Sequence, residues 1–258
     1  MKPLKFENPL IMGHRGFQTH YPENTMVSFM AAVETGAQFV ELDVTLTRDH
    51  QVAVIHDDTV DRTTNGIGPV HSFNLKELQK LDAGSWFHPR FAGERIPTLI
   101  DVLGQVTRKA YINLEIKSHD HAYRSLQDEI EQAVVALVDK TKTHERVLIS
   151  SFDPVVLKNV QRLNTSLQVA FISKYFKNKE TIHLCEELDV FSYHPNLAYL
   201  SAEQVNVLHK ADIRVFPYNI NDKKDIYRGF ALGADGLIAK NPHLARQCYN
   251  RAHKKTQD

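Results

Sequence analysis

Phe39-Val40-Glu41-Leu42-Asp43 is a short apolar run that ends in two carboxylates, which indicates a strand with polar groups at its carboxyl end. The same arrangement recurs twice. Pro-Leu-Ile-Met-Gly (9–13) precedes His14-Arg15-Gly16, and Tyr111-Ile112-Asn113-Leu114 precedes Glu115-Ile116-Lys117. Because charges are costly to bury unless they are paired, several polar clusters at strand ends point to a site that uses them. Three carboxylates, a guanidinium, an ammonium and an imidazole in one site would suit a divalent metal beside a phosphate.

The rest of the chain alternates short β-branched or aromatic runs with stretches of helical period. Strands are predicted at 9–13, 39–45, 52–56, 111–116, 147–151, 168–172, 189–193, 213–219 and 235–239. Helices are predicted at 24–35, 98–108, 121–139, 154–163, 179–187, 201–210, 222–232 and 242–252. About eight strand–helix units are typical of an α/β protein of the (β/α)₈ TIM-barrel class. An open doubly wound sheet is the rival, but it would gather its polar groups near one switch point rather than at many strand ends.

Residues 57–97 interrupt this alternation. The segment is rich in Asp, Thr, Gly and Pro and has a single short helical stretch at 74–81. A segment of this length without a regular unit is unusual inside a compact domain and is more often functional than idle. We therefore expect a small insertion after the second strand, lying over the barrel mouth of a single domain that spans residues 1–258.

Composition places the chain among globular proteins, with 42% hydrophobic and 24% charged residues. The 31 acidic and 31 basic residues balance, which argues against a nucleic-acid binder driven by bulk charge. Cys185 and Cys248 match no metal or redox spacing, and no disulfide framework is expected. The sequence has neither a signal-peptide core nor an apolar run of membrane-spanning length. These features predict a soluble, cytoplasmic protein with a small-molecule partner and no stable membrane insertion; nothing in the sequence indicates an oligomeric state.

Glu41 and Asp43 are the first candidate metal ligands. They are two residues apart, so on a strand both side chains point to the same face. Adjacent like charges repel, and a hard cation is a common way to stabilise them; Glu115 could supply a third oxygen. A solvated strand end is the plainer interpretation of any single Glu-x-Asp, but this pair follows a run with the character of a buried strand. Carboxylate ligands favour Mg²⁺ or Ca²⁺ over zinc.

His14 and His56 both terminate apolar runs, and two imidazoles could serve as general base and general acid for one displacement. The chain has fourteen histidines, so position rather than residue type selects these two. Arg15 and Lys117 are the candidates for an anion site, Arg15 as a bidentate donor and Lys117 as a point charge. Lys117 lies two residues after Glu115, which places both on the same face of a strand.

The whole pattern resembles the glycerophosphodiester phosphodiesterase family in its bacterial-type form. The motifs that carry the resemblance run in the family's order and span nearly the whole chain. They are Gly-His-Arg-Gly (13–16), Pro-Glu-Asn-Thr (22–25), Glu-Leu-Asp-Val (41–44), His-Asp (56–57), Asp-Arg-Thr-Thr-Asn-Gly (61–66), Ile-Pro-Thr-Leu (96–99), Asn-Leu-Glu-Ile-Lys (113–117), Ser-Ser-Phe (150–152) and Gly-Ala-Asp-Gly-Leu-Ile (233–238).

The resemblance implies a TIM barrel with a small insertion after the second strand and a divalent metal, Mg²⁺ or Ca²⁺, bound by Glu41, Asp43 and Glu115. It implies that His14 and His56 are the acid–base pair and that Arg15 and Lys117 contact phosphate. The implied reaction is the hydrolysis of glycerophosphodiesters to sn-glycerol 3-phosphate and an alcohol such as choline, ethanolamine or glycerol. Which histidine is the acid, and whether water or the glycerol 2-hydroxyl attacks, stay open at this stage.

Two positions depart from the family's pattern. The family usually continues Thr-Asp-x-Pro after its last motif, whereas this chain has Ala239-Lys240-Asn241-Pro242. The aromatic residue on the seventh strand, commonly tryptophan, is Tyr218, which the resemblance places in contact with substrate. Both positions fall at the barrel mouth and bear on the choice of headgroup, and Lys240 would favour an anionic leaving group.

Three alternative functions accompany this hypothesis. A lysophospholipase D or sphingomyelinase D-like enzyme would keep the chemistry and change the substrate, but such proteins usually have an apolar lip or a secretion signal. A non-catalytic binding barrel usually loses a metal ligand or a histidine, and all five positions are filled here. A sugar-phosphate isomerase would not require three carboxylates and two histidines at strand ends.

Overall fold

Eight parallel strands form a nearly closed ring in the computed structural model, which describes residues 9–117 and 127–254. The strands of the described residues are β1 (Leu10–Gly13), β2 (Phe39–Leu46), β3 (Val52–Val54), β4 (Tyr111–Ile116), β5 (Val147–Ser151), β6 (Gln168–Ser173), β7 (Ser192–Pro195), β8 (Arg214–Val215) and β9 (Gly236–Ala239). Their order around the ring is β8-β7-β6-β5-β4-β2-β1-β9. Main-chain hydrogen bonds from Asp235 N to Val215 O and from Ile238 N to Pro217 O, each 3.0 Å, connect the two ends. The predicted TIM barrel is confirmed.

β3 lies outside the ring, because it pairs antiparallel with β2 through Val44 and Val54. The strand predicted at 52–56 is therefore the entry to the insertion rather than a barrel strand. Two other strands differ from their predicted bounds by more than one residue. The strand predicted at 189–193 begins only at Ser192, because Asp189 has a positive φ of 44° and Val190 N still bonds a helical carbonyl. The strand predicted at 213–219 is short, since Pro217 has no N–H to donate.

The helices alternate with the barrel strands and cover the outside of the ring. Those of the described residues are α1 (Met26–Glu34), α2 (Leu75–Leu78), α3 (Leu99–Val106), α4 (Gln127–Thr141), α5 (Pro154–Leu163), α6 (Lys179–Glu187), α7 (Ala202–Lys210), α8 (Lys223–Ala231) and α9 (Pro242–Lys254). Several begin where the sequence predicts: Asp153 and Ser201 accept hydrogen bonds from main-chain N–H groups in the first turns of α5 and α7. The first part of the helix predicted at 121–139 lies outside the described residues.

Strand alternation decides which side chains of β2 enter the barrel. Val40, Leu42 and Val44 belong to the buried cluster between the ring and its helices, whereas Phe39 belongs to the cluster inside the ring. With a period of two, Glu41 and Asp43 continue the inward series of Phe39 towards the carboxyl end of the strand. The carboxylates are thus placed inside the barrel, above its apolar floor.

The insertion has an apolar cluster of its own beside the barrel. Its buried members come from β3 and from the segment that follows it: Ala53, Ile55, Val60, Val70, Leu78, Ala83 and Ile96. Arg48 fastens the segment to the end of β2, since its guanidinium donates to Ser72 O and to Glu77, each at 2.9 Å. Among the helices described, none has both the length and the apolar character that crossing a membrane would require.

Candidate active site

Three carboxylates converge at the carboxyl ends of β2 and β4. Asp43 and Glu115 are direct partners in the parallel register of these strands, and Glu41 precedes Asp43 by two residues on the same face. Glu41, Asp43 and Glu115 each offer an oxygen, and these oxygens all lie within 4.8 Å of one another. Oxygen atoms at such separations can share one Mg²⁺ or Ca²⁺, which bind oxygen at about 2.0–2.6 Å.

Without a bound cation, burial and mutual repulsion make the ionised forms of these carboxylates unfavourable. Burial, followed by the charges of Asp43 and Glu115, raises the pKa of Glu41 well above its usual range. Burial and Asp43 likewise raise the pKa of Glu115 to about 8, although Lys117 and Arg15 oppose the rise. Glu41 Oε1 is buried and has no hydrogen-bond partner among the described residues. An orphaned carboxylate oxygen among like charges is the arrangement that a bound divalent cation would stabilise, so the residues fit a metal site.

The turn after β1 brings its main chain against this cluster. Arg15 has a positive φ of 51°, and its N–H donates to Glu41 Oε2 at 2.7 Å. Gly16 follows with a φ of 86°, in the left-handed region that favours glycine. A Cβ atom at Gly16 would overlap the hydroxyl and main chain of Ser28, whose hydroxyl accepts from Phe17 N at 2.9 Å. The sequence Arg-Gly therefore permits a tight turn that aims an N–H at a ligand carboxylate.

Replacing Gly16 with alanine is expected to lower the free energy of unfolding by about 2–4 kcal/mol, through left-handed strain and the overlap with Ser28. Urea denaturation of the variant measures this loss. Gly104→Ala is the matched control, because nothing lies within 4 Å of a Cβ at that helical position. Equal stability of the two variants would show that the turn does not require glycine.

A chain of ion pairs runs from the carboxylate cluster to His56. The Arg15 guanidinium lies 3.3 Å from an oxygen of Asp43 and donates to Glu23 at 2.9 Å. Glu23 also accepts from both terminal nitrogens of Arg62, at 2.9 and 2.8 Å. Arg62 Nε donates to one Asp57 oxygen at 2.6 Å, and the other Asp57 oxygen accepts from His56 Nδ1 at 2.6 Å. The hydrogen bond from Arg62 is the main cause that holds the pKa of Asp57 well below its usual range.

Replacing Glu23 with glutamine is expected to lower the free energy of unfolding by about 1–3 kcal/mol near pH 7, because Arg15 and Arg62 both lose a buried carboxylate partner. Burial opposes ionisation of Glu23, but Arg62 and Arg15 outweigh it and lower its pKa below 4.5. A lowered pKa contributes stability above pH 4.5 that is lost as pH falls through the folded-state pKa. The difference between wild type and variant should therefore shrink below pH 4.5.

Denaturation curves at pH 7 and pH 4 provide the measurement for Glu23→Gln. Glu187→Gln removes an ion pair with Lys158 in which both side chains are about half exposed, and no measurable change is expected there. A Glu23 variant as stable as wild type at pH 7 would contradict a structural role for the ion-pair chain.

His14 has hydrogen bonds that define its tautomer. The Gln18 amide nitrogen donates to the main-chain oxygen of His14 at 3.0 Å, which identifies the donor end of that amide. The same nitrogen donates to His14 Nδ1 at 2.6 Å. Neutral His14 therefore has its proton on Nε2, which lies 3.9 Å from Glu41 Oε2. Burial, followed by the charges of Arg15, Lys240 and His56, lowers the pKa of His14 well below 6.5.

One pocket at the carboxyl ends of the strands collects most of these groups. It is lined by His14, Arg15, Glu41, His56, Asn113, Glu115, Phe152, Ile172, His194, Tyr218, Asn219 and Ile238. Six of the eight site residues predicted from the sequence are in this lining. Asp43 and Lys117 are not: Asp43 accepts from Asn24 Nδ2 at 2.9 Å, and the Lys117 ammonium donates to the main-chain oxygen of His56 at 2.7 Å.

Sequence reasoning missed the residues that support the predicted ones. Gln18, Asn24 and Arg62 contact His14, Asp43 and the partner of His56, respectively, and the last two lie within motifs quoted above for the family resemblance. Those motifs were therefore the available signal, whereas Gln18 lies outside them.

Comparison with known proteins identifies the family. The Glycerophosphoryl diester phosphodiesterase family matches residues 14–244. The chain is 38% identical over 234 residues to a glycerophosphodiester phosphodiesterase of Caldanaerobacter subterraneus subsp. tengcongensis, covering 90% of this chain and 94% of that one. A Bacillus altitudinis glycerophosphodiester phosphodiesterase is 33% identical, with 91% and 96% covered.

Solved structures agree with this assignment. An Oleispira antarctica phosphodiesterase, solved in complex with the product sn-glycerol-3-phosphate, superposes with a TM-score of 0.88 at 27% identity. The match covers 94% of this chain and 97% of that one. The resemblance stated from sequence motifs is therefore confirmed, and the chain belongs to the glycerophosphoryl diester phosphodiesterase family.

Proposed function

We propose that this protein hydrolyses glycerophosphodiesters to sn-glycerol 3-phosphate and an alcohol, using a divalent metal held by Glu41, Asp43 and Glu115. The observation that carries the proposal is the convergence of three buried carboxylates, with oxygens within 4.8 Å, beside a pocket that His14 and His56 also line. Family membership supports this class of reaction. The product found in the Oleispira antarctica protein supports sn-glycerol 3-phosphate as the phosphorylated product.

The donor set favours Mg²⁺ or Ca²⁺, because all three candidate ligands are carboxylate oxygens. When bound, such an ion supplies Lewis-acid polarisation of a phosphoryl oxygen. Arg15 lines the same pocket and is held by Glu23 and Asp43, so its charge is fixed beside the place where phosphate negative charge would gather. The Lys117 ammonium donates one hydrogen bond to His56 O, which leaves two of its N–H groups as donors to phosphate oxygens.

The hydrogen bonds of the two imidazoles support different roles for them. His56 donates through Nδ1 to the Asp57 carboxylate, so neutral His56 has its lone pair on Nε2 and can accept a proton from the nucleophile. Neutral His14 has its proton on Nε2 and can donate it towards the departing oxygen. We therefore assign the base role to His56 and the donor role to His14. The nucleophile, water or the glycerol 2-hydroxyl, is left open.

We further propose that residues 1–258 form one domain and that the inserted segment 57–97 covers the His56 side of the pocket. Two observations support this. β1 and β9, which come first and last among the strands in chain order, pair with each other through Ile11 and Leu237. Arg62, from the insertion, reaches Glu23 and Asp57 beside the pocket.

The test is phosphorus NMR of the products formed from glycerophosphoglycerol, glycerophosphocholine and lysophosphatidylcholine, with and without EDTA. We expect sn-glycerol 3-phosphate from the first two, and its loss with EDTA followed by recovery when Mg²⁺ or Ca²⁺ is added back. Turnover of lysophosphatidylcholine alone would favour the lysophospholipase D alternative. No turnover of any substrate with either metal would favour the binding barrel.

A further inference from the structure

Four aromatic side chains follow four neighbouring barrel strands at their carboxyl ends. Phe152 follows β5, Tyr175 follows β6, Tyr199 follows β7 and Tyr218 follows β8. We call these residues the aromatic rim. Phe152, Tyr175 and Tyr199 are 44%, 51% and 48% exposed, so their faces are open to a ligand. Most described aromatic residues are buried or partly buried, and exposed rings of this size at adjacent positions indicate a binding surface.

The aromatic rim is continuous with the catalytic pocket. The rings of Tyr175 and Tyr199 contact each other, with centroids 4.7 Å apart, and Phe152 meets Tyr218 edge-on at 6.0 Å. Phe152 and Tyr218 line the pocket together with His14 and Glu41. The two halves of the rim are linked through the main chain: Leu197 N donates to Tyr218 O at 3.1 Å, which holds the segment that carries Tyr199 beside Tyr218.

The positively charged side chain of Lys174 lies near the rings of Tyr175 and Tyr199. Its ammonium lies 5.1 Å from the centre of the Tyr175 ring and 5.8 Å from that of Tyr199. These are the positions that a quaternary ammonium group would occupy if it bound the rings by cation–π attraction. A protein cation already there competes with a cationic headgroup and repels it.

No free carboxylate compensates that charge in the described loops around the rim. In residues 150–156, 172–178, 194–200 and 216–222 the acidic residues are Asp153 and Asp222. Each accepts a main-chain hydrogen bond as the N-cap of a helix, Asp153 from Val155 N and Asp222 from Asp225 N. These two carboxylates are therefore engaged at helix starts, and Glu41 and Glu115, which line the pocket with Tyr218, are the proposed metal ligands, so none of the four is assigned to a cationic headgroup.

We propose that Lys174 and the aromatic rim form the subsite for the departing alcohol, and that they select a polyol without positive charge over choline or ethanolamine. This inference rests on the proposed glycerophosphodiester hydrolysis. A polyol presents C–H faces to the rings and hydroxyl oxygens to the donors that the Lys174 ammonium retains beside its hydrogen bond with Tyr175. Lys240 directly follows β9 at the same end of the barrel, and its positive charge acts in the same direction.

The experiment compares kcat/KM for glycerophosphoinositol, glycerophosphoglycerol and glycerophosphocholine in wild type, Lys174→Glu and Lys177→Glu. Wild type is expected to prefer the two polyol diesters by about threefold to tenfold, the scale of exposed charge interactions. Lys174→Glu should reverse that preference, with kcat/KM for glycerophosphocholine rising relative to kcat/KM for the two polyol diesters. Lys177 is an exposed lysine of the same loop. Reversing its charge controls for the non-specific electrostatic effect of changing a nearby surface charge.

The outcomes separate this inference from the proposed function. Absence of turnover for every diester in wild type overturns the proposed function. Turnover without a preference, or with glycerophosphocholine preferred, overturns the subsite and leaves the hydrolase proposal standing. Equal effects of Lys174→Glu and Lys177→Glu would show a general field rather than a subsite at Lys174. Tyr199→Leu should raise KM for the polyol diesters without lowering kcat, and a lowered kcat alone would contradict a binding role for the rim.

Discussion

Replacing His56 with alanine is expected to lower kcat by about 10²–10⁴-fold, the usual contribution of a positioned general base. The loss should fall on the chemical step, because His56 Nε2 is the acceptor left free when Nδ1 binds Asp57. Lys117 bonds the main-chain oxygen of residue 56, so alanine keeps that contact and the fold should be retained. Initial rates with glycerophosphoglycerol under saturating metal, together with circular dichroism, measure both effects.

His183→Ala is the control for His56, because His183 is an exposed histidine on α6, away from the pocket. It should leave kcat unchanged. Asp57→Asn should reduce kcat less than His56→Ala, since the imidazole remains but loses its anionic hydrogen-bond partner. A His56→Ala variant with near-normal turnover would remove this residue from the mechanism.

Replacing Glu41 with glutamine is expected to lower kcat/KM by about 10³-fold or more, since metal-ion stabilisation is worth several kcal/mol. The same change should raise the free energy of unfolding of the metal-free protein near pH 7. The sign follows from the raised pKa of Glu41: near pH 7 its ionised form costs the folded state more than the unfolded state. Glutamine removes that charge from beside Asp43 and Glu115.

Thermal unfolding with and without Mg²⁺ or Ca²⁺ checks both halves of the Glu41 prediction. The melting temperature of wild type should rise when metal is added. Without metal, Glu41→Gln should melt at a higher temperature than wild type, and metal should raise its melting temperature little. Glu203→Gln, an exposed change on α7, should behave like wild type. A Glu41 variant that is less stable without metal and still gains stability with it would contradict a metal-binding role.

Much of the fold was predictable because its signals are local. Short β-branched or aromatic runs predicted the barrel strands, and N-cap residues such as Asp153 and Ser201 stand at helix starts. Glu41 and Asp43 could be placed on one face because they are two residues apart on a strand. Their convergence with Glu115 followed from the rule that strand ends meet at a barrel mouth.

The parts that escaped prediction depend on contacts between distant residues. Nothing local shows that β3 turns back along β2, or that Arg62 reaches Glu23 across 39 residues of chain. The sequence predicts Lys117 as a phosphate contact, but it does not show that the Lys117 side chain, just beyond β4, also donates to His56 O. Gln18 sets the tautomer of His14 through a turn that only the folded chain forms.

The most direct measurement is anomalous diffraction from crystals soaked in Mn²⁺, an oxygen-preferring ion that can replace Mg²⁺. A single strong peak is expected within about 2.6 Å of an oxygen from each of Glu41, Asp43 and Glu115, with His14 and His56 on the same side of the barrel. A peak elsewhere, or carboxylate oxygens that face away from one another, would contradict a shared cation and the phosphodiesterase chemistry built on it.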